Sequence, residues 1–183
     1  MAIPRLNIDL TALLVVDVQE KLLGHMHNAD ALVAQAGKLI DAANALGLPV
    51  IVTEQYRKGL GATVPDLAAR LHTAVGNHEK LKFSGCIEPV CDDLQRLGRR
   101  MVIVCGIEAH VCVLQTCLDL ADNGYIVAVA TDAIGSRRAI DQQAAEQRLI
   151  GARIIPSTVE SAVLELVGEA GSDRFKAVLP IIK

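Results

Sequence analysis

Short apolar runs rich in Val and Ile alternate along the chain with longer stretches of mixed polarity. Ala12–Val16, Pro49–Val52, Met101–Cys105, Ile126–Ala130 and Ala152–Ile155 predict strands, and His78–Lys82 a weaker sixth. Between them, Ala29–Leu46, Glu88–Leu97, His110–Asn123, Arg137–Ile150 and Val159–Val167 carry apolar residues at three- and four-residue steps, the spacing of one helix face. Gly47, Gly98, Gly124 and Gly151 each follow a helical stretch and precede a strand, where a left-handed cap belongs. Strands that are continuously apolar rather than alternating are buried on both faces, which is the mark of a parallel sheet between helices. With right-handed crossovers, this predicts a three-layer α/β/α, Rossmann-like fold with a mainly parallel sheet of five or six strands. No linker-like change of composition and no repeat divides the chain, so residues 1–183 read as a single domain.

Composition narrows the possible functions. Apolar residues make up 51% of the 183, which rules out intrinsic disorder. Aromatics are only 2%, and the net charge is −3, so there are neither base-stacking platforms nor a basic field for a phosphate backbone or an anionic membrane. No apolar run approaches the ~20 residues of a membrane helix. The start, MAIPRLNIDL, lacks the pattern of a signal peptide. The five cysteines include no C-x-x-C pair, and their spacing suggests neither a disulfide framework nor a zinc site. Free thiols point to a reducing, cytoplasmic setting.

In an open α/β sheet, ligands bind outside the carboxyl ends of the strands. The residues leaving those ends are Asp17, then Thr53-Glu54-Gln55, Lys80 and Lys82, the segment Gly106–Cys112, and Thr131-Asp132. An acid, a lysine and a thiol thus converge on one rim. Cys112 falls in the first turn of a predicted helix, where free N–H groups and the positive dipole end favour a thiolate and can hold an oxyanion. The alternative for Cys112 is a small residue filling space between helix and sheet, the role assigned to Cys105 and Cys117. Asp17 reads either as a cap for the next short segment or as a proton carrier for the thiol. Lys80 reads either as a solvated lysine or as a fixed cation beside that acid. His110, two positions before Cys112, points away from it on a helix. TEQYRKG after the second strand contains no histidine, and neither G-x-G-x-x-G nor a P-loop follows the first, so no metal and no nucleotide cofactor is expected.

Read with their neighbours, LLVVDVQEKL at 13–22, EKLKFSGC at 79–86 and GIEAHVCVLQT at 106–116 resemble the cysteine-hydrolase family that includes isochorismatase and nicotinamidase. The resemblance runs from about Asp9 to Val167. TEQYRKGLGATVPDL at 53–67 and RFKAVLPIIK at 174–183 are similar to its isochorismatase domain-containing branch. It implies Cys112 as nucleophile, Asp17 as acid/base and Lys80 as charge partner, with Lys82 at a position often basic but not catalytic. It also implies a cis peptide at Ile107–Glu108 that sets the Glu108 N–H beside that of Cys112 as an oxyanion hole, and Gln19 as a brace for the pocket.

The departures are informative. Nicotinamidases carry a D-x-H and a further His for a metal, which this chain lacks. Isochorismatases proper, which cleave a vinyl ether, lack the cysteine, so its presence here favours attack on a carbonyl carbon. The expected activity is metal-independent hydrolysis of a small amide or related acyl substrate through a thioester. Leu22, Glu54, Gln55, Tyr56 and His110 are the candidate pocket walls. The expected partners are a small-molecule substrate and further copies of the chain in a homo-oligomer, with no nucleic acid and no membrane. A thiol redox sensor, or a binding module on a catalytically retired fold, are the rival readings.

Overall fold

The computed structural model describes residues 3–183. Six strands form one parallel sheet: β1 (Thr11–Val16), β2 (Val50–Gln55), β3 (Gly76–Lys80), β4 (Met101–Ile107), β5 (Ile126–Gly135) and β6 (Ile155–Ser157), in the order β3-β2-β1-β4-β5-β6. Helices cover both faces, as the apolar strands require. Along β1, Leu13 and Val15 pack toward α2 (Ala29–Leu46), α8 (Val159–Val167) and α9 (Asp173–Ile182). Ala12, Leu14 and Val16 pack toward α5 (Glu88–Arg96), α6 (Leu114–Asp122) and α7 (Ala139–Gly151). Short helices α1 (Glu20–Leu23), α3 (Arg57–Leu60) and α4 (Pro65–Ala68) fill the loops after β1 and β2.

The strand order reverses direction between β1 and β4, and the crevice at their carboxyl ends is where such sheets bind ligands. Gly106 makes this junction possible. It has φ +125, and a Cβ there would stand 2.0 Å from the Val16 carbonyl oxygen of β1. Beside it the β4–β5 register shifts between Val104 and Gly106.

The structure revises several boundaries. The weak strand lies at Gly76–Lys80 and the last at Ile155–Ser157, because α7 continues through Gly151. Gly47, Gly98 and Gly124 have positive φ as expected, but Gly151 is helical and the left-handed residue after α7 is Arg153 (φ 63). The stretch expected as a helix from His110 begins instead as a π-turn, Ala109–Val113, that runs into α6. The C-terminal α9, capped by the Ser172 hydroxyl accepting from the Phe175 N–H, was not expected, because Pro180 lies inside it.

Candidate active site

Asp17 leaves β1 in the left-handed region, φ 53, a conformation Asp tolerates better than most residues. Its N–H donates to the Thr53 carbonyl at 3.0 Å, and the N-cap of α1 is Gln19 rather than Asp17. Instead the carboxylate is fully buried. It accepts from the Thr53 hydroxyl at 2.8 Å and from the Lys80 ammonium at 2.5 Å, and it lies close enough to the Cys112 thiol for each to shift the other's titration. The three candidate residues of the sequence therefore meet.

Lys80, the last residue of β3, is 4% exposed. Its ammonium also donates to Gln55 Oε1 at 2.8 Å and to the carbonyls of Lys82 and Phe83 at 3.2 and 2.9 Å. A buried ammonium is costly to desolvate, and these acceptors compensate it. Lys82 contributes through its backbone while its side chain is exposed. Gln55 in turn is held by its own Nε2 donating to the Leu81 carbonyl, and by Gln19 Oε1 accepting from the Gln55 N–H at 2.7 Å. Gln19 Nε2 closes the network on the Gln55 and Gly61 carbonyls. The brace expected of Gln19 is thus a backbone clamp between β2 and the α3–α4 loop.

Cys112 sits in the π-turn, 5% exposed. The Ile107–Glu108 peptide is cis. The Glu108 amide lies near the sulfur and favours its ionised form. The Glu108 carbonyl accepts from the N–H groups of Val111 and Val113, and that of the intervening Cys112 is not among its donors. Amides at such a turn can stabilise a negative oxygen. The expected thiolate is corrected here. Burial, followed by the facing Asp17 charge, pushes the thiol up to about 12, and Lys80 and the Glu108 amide offset this only in part. Burial also raises the Asp17 carboxyl above its ordinary range, against the pull of Lys80, Thr53 and Cys112. Both shifts favour the neutral thiol, and the Asp17 carboxyl faces it.

The pocket-wall residues divide. Gln55 belongs to the network. Glu54 does not: strand alternation turns it to the opposite face, where Oε1 accepts from the Thr63 N–H and hydroxyl at 2.7 and 2.8 Å and Oε2 meets Arg57. Leu22 packs on the apolar cluster of the α2 face, whereas Cys112 belongs to that of the α6 face. The Tyr56 ring is half exposed and lies over Gly59, and His110 Nδ1 pairs with Ser136 Oγ at 2.9 Å. The Glu108 carboxylate is taken by Arg137 at 3.0 Å. Thr53, on the rim but given no role by the sequence, bonds Asp17, and Thr116 goes beyond the sequence reading: its hydroxyl donates to the Cys112 carbonyl and accepts from the Gly85 N–H, both at 2.6 Å. Thr116 lies one helical turn after Cys112, a spacing the sequence did offer. A groove of about 770 Å³ between α2 and α4, lined by Val33, Val64 and Arg70 among others, lies on the face away from Cys112. Among the described residues no cluster of three or more His, Cys, Asp or Glu is arranged to hold a metal.

The chain is similar over nearly its whole length to proteins already known. The secreted isochorismatase effector Isc1 of Phytophthora sojae is 38% identical over 177 residues, covering 94% of this chain and 84% of that one. The structure of MAR1 ribonuclease from Caenorhabditis elegans superposes with a TM-score of 0.94 at 42% identity, covering 98% of this chain and 92% of that one. YcaC of Escherichia coli, described as an octameric hydrolase of unknown specificity, has a TM-score of 0.91 at 25% identity, covering 100% and 91%. YcaC of Pseudomonas aeruginosa, solved with covalent acrylamide, has 0.90 at 26%, covering 99% and 93%. The model of the isochorismatase domain matches residues 11–161, and on that match, with these relatives, the chain belongs to the isochorismatase family.

Proposed function

We propose that the whole chain is one hydrolase domain that cleaves small amides or related acyl compounds through a thioester on Cys112, without a metal. The observation that carries this reading is the carboxylate of Asp17, held between the Lys80 ammonium and the Cys112 thiol at the point where the sheet changes direction. As sulfur bonds to the carbonyl carbon, its proton passes to Asp17, so no free thiolate has to be stored in a buried site. The carbonyl oxygen takes the negative charge and is met by the N–H groups of Glu108 and Cys112. The C–N bond then breaks, and the departing amine takes the proton from Asp17. Water next gives a proton to Asp17 and adds to the thioester. The C–S bond breaks, and the proton returns to sulfur with release of the acid. Lys80 keeps Asp17 charged between these transfers.

The same reading makes the chain a cytoplasmic homo-oligomer. YcaC of E. coli is an octamer, and free cysteines suit a reducing compartment. Among the described residues no helix is long and apolar enough to cross a membrane. The test is a panel of amides, esters and imides, with RNA as a further arm because of the name of the C. elegans relative. Acrylamide serves as an electrophilic probe, and intact mass reads the adduct. The expected result is an acyl or acrylamide adduct that maps to Cys112 and disappears in Cys112→Ala. RNA cleavage without turnover of any acyl compound, or full activity in Cys112→Ala, overturns the proposal.

A further inference from the structure

We propose that Cys86 and Cys91 form an oxidisable dithiol, a modification site separate from Cys112, which small-molecule disulfides or hydroperoxides convert to an internal disulfide. The two sulfurs lie 3.5 Å apart, and both side chains are partly exposed. By contrast, Cys105 and Cys117 are fully buried, and Cys112 is engaged with Asp17. A disulfide holds its sulfurs about 2.0 Å apart, so closing the bond needs a shift of about 1.5 Å.

The placement along the chain favours that shift. Ile87 caps α5, and its carbonyl accepts from the N–H groups of Val90 and Cys91, both at 3.0 Å. Cys86 therefore precedes the cap and Cys91 is the fourth helical residue. These are the two positions whose side chains touch in the hydrophobic staple that fixes how a chain approaches a helix. Here both are thiols, and oxidation makes the staple covalent. The bond belongs to the surface of the fold rather than the core: Leu81 and Phe83, just upstream, are 75% and 55% exposed. Burial and then the neighbouring Cys91 push the Cys86 thiol up to about 12, so Cys86 is mostly the neutral thiol near neutral pH.

The chemistry balances. Cys86 and Cys91 lose two electrons and two protons as the S–S bond forms. A low-molecular-weight disulfide gains them and leaves as two thiols, or a hydroperoxide gains them and leaves as an alcohol and water. The consequence reaches the candidate active site. Residues 81–86 carry the Lys82 and Phe83 carbonyls that hold the Lys80 ammonium, and Gly85 is bonded to Thr116. Fixing Cys86 to α5 fixes one end of that segment.

The folded full-length chain is treated with oxidised glutathione or diamide, alkylated, and digested with trypsin. The fragment spanning residues 83–96 contains both cysteines. The expected product is this fragment unalkylated and lighter by two hydrogens, returned to two alkylated thiols by reductant, and formed equally in Cys112→Ala. Cys91→Ser is expected to leave Cys86 as a mixed disulfide or free. Melting of the oxidised chain is expected several degrees higher than that of the reduced chain, by about 3–6 °C. Alkylation of both thiols after oxidant treatment, two separate mixed disulfides on the fragment, or a bond to Cys112 overturns the proposal. The test does not depend on the hydrolase reading, since it needs no substrate.

Discussion

Asp17 and Glu54 leave neighbouring strands only a few ångströms apart in register, both are buried, and both face a cation, yet the two ends differ in what the cation can do. Lys80 meets Asp17 at 2.5 Å with a side chain only 1% exposed, whereas Arg57 meets Glu54 at 3.3 Å with 58% exposed. Glu54 draws its main support from the neutral N–H and hydroxyl of Thr63. Asp17 shares its surroundings with a thiol that has its own proton to give, and burial keeps its carboxyl above the ordinary range despite the lysine. One carboxylate is fully satisfied and ties a loop to the sheet. The other is held where gaining a proton is easy. Burial alone does not separate two such carboxylates; the chemistry of the third partner does.

The largest expected effect tests that distinction directly. Cys112→Ala and Asp17→Asn should each lower kcat/KM by about 10³-fold or more, while Glu54→Gln stays within about threefold, measured on the acyl substrate from the panel. Equal losses at Asp17 and Glu54 would erase the contrast.

Stability should show the next largest effect. Asp17→Asn or Lys80→Met alone leaves a buried polar group without its partner and should cost about 3–5 kcal/mol, whereas the Asp17→Asn/Lys80→Met double variant should recover most of that in urea unfolding. Glu54→Gln should cost less, about 1–3 kcal/mol, through its lost bonds to Thr63.

The smallest effects are in pH. Because the Asp17 carboxyl is raised, the rate should fall as pH drops through a midpoint above the ordinary carboxylate range, and Thr53→Val, which removes a donor to the ionised form, should move that midpoint higher still. Because the Cys112 thiol is pushed up to about 12, its alkylation by iodoacetamide should keep rising past pH 9 rather than levelling off as a free thiol does. A plateau near neutrality would restore the resting thiolate.

Sequence pattern made the sheet legible because β1, β4 and most of β5 are apolar on both faces, and only a parallel sheet between helices buries such runs. The weak edge strand β3 alternates exposed and half-buried residues, so its signal was faint and its bounds were misplaced by two residues. α9 was hidden by Pro180, although Ser172 offered a cap signal. At the site, Asp17, Lys80 and Cys112 each lie at or just past the carboxyl end of a strand, a placement the sequence offered, and the structure puts the Lys80 ammonium on the Asp17 carboxylate. The charge state of the sulfur was not legible. A helix start argues for a thiolate, but that rule assumes an accessible turn, and burial beside Asp17 overrides it. Glu54 was misassigned although strand alternation separates it from Thr53 and Gln55. The contact between Cys86 and Cys91 is not legible in cysteine spacing alone, but it matches the staple positions around the start of α5.

Gly106 sets the terms on which this scaffold can diversify. Residue 106 must pass within contact of the Val16 carbonyl, and a single added carbon would collide there at 2.0 Å. A mutational library aimed at new substrates can vary the exposed Leu81 and Phe83, but at this codon any side chain requires the backbone of β1 or β4 to move beside Asp17. The width of the seam between two strands, rather than any reactive group, is then the hardest constraint on inventing new chemistry here.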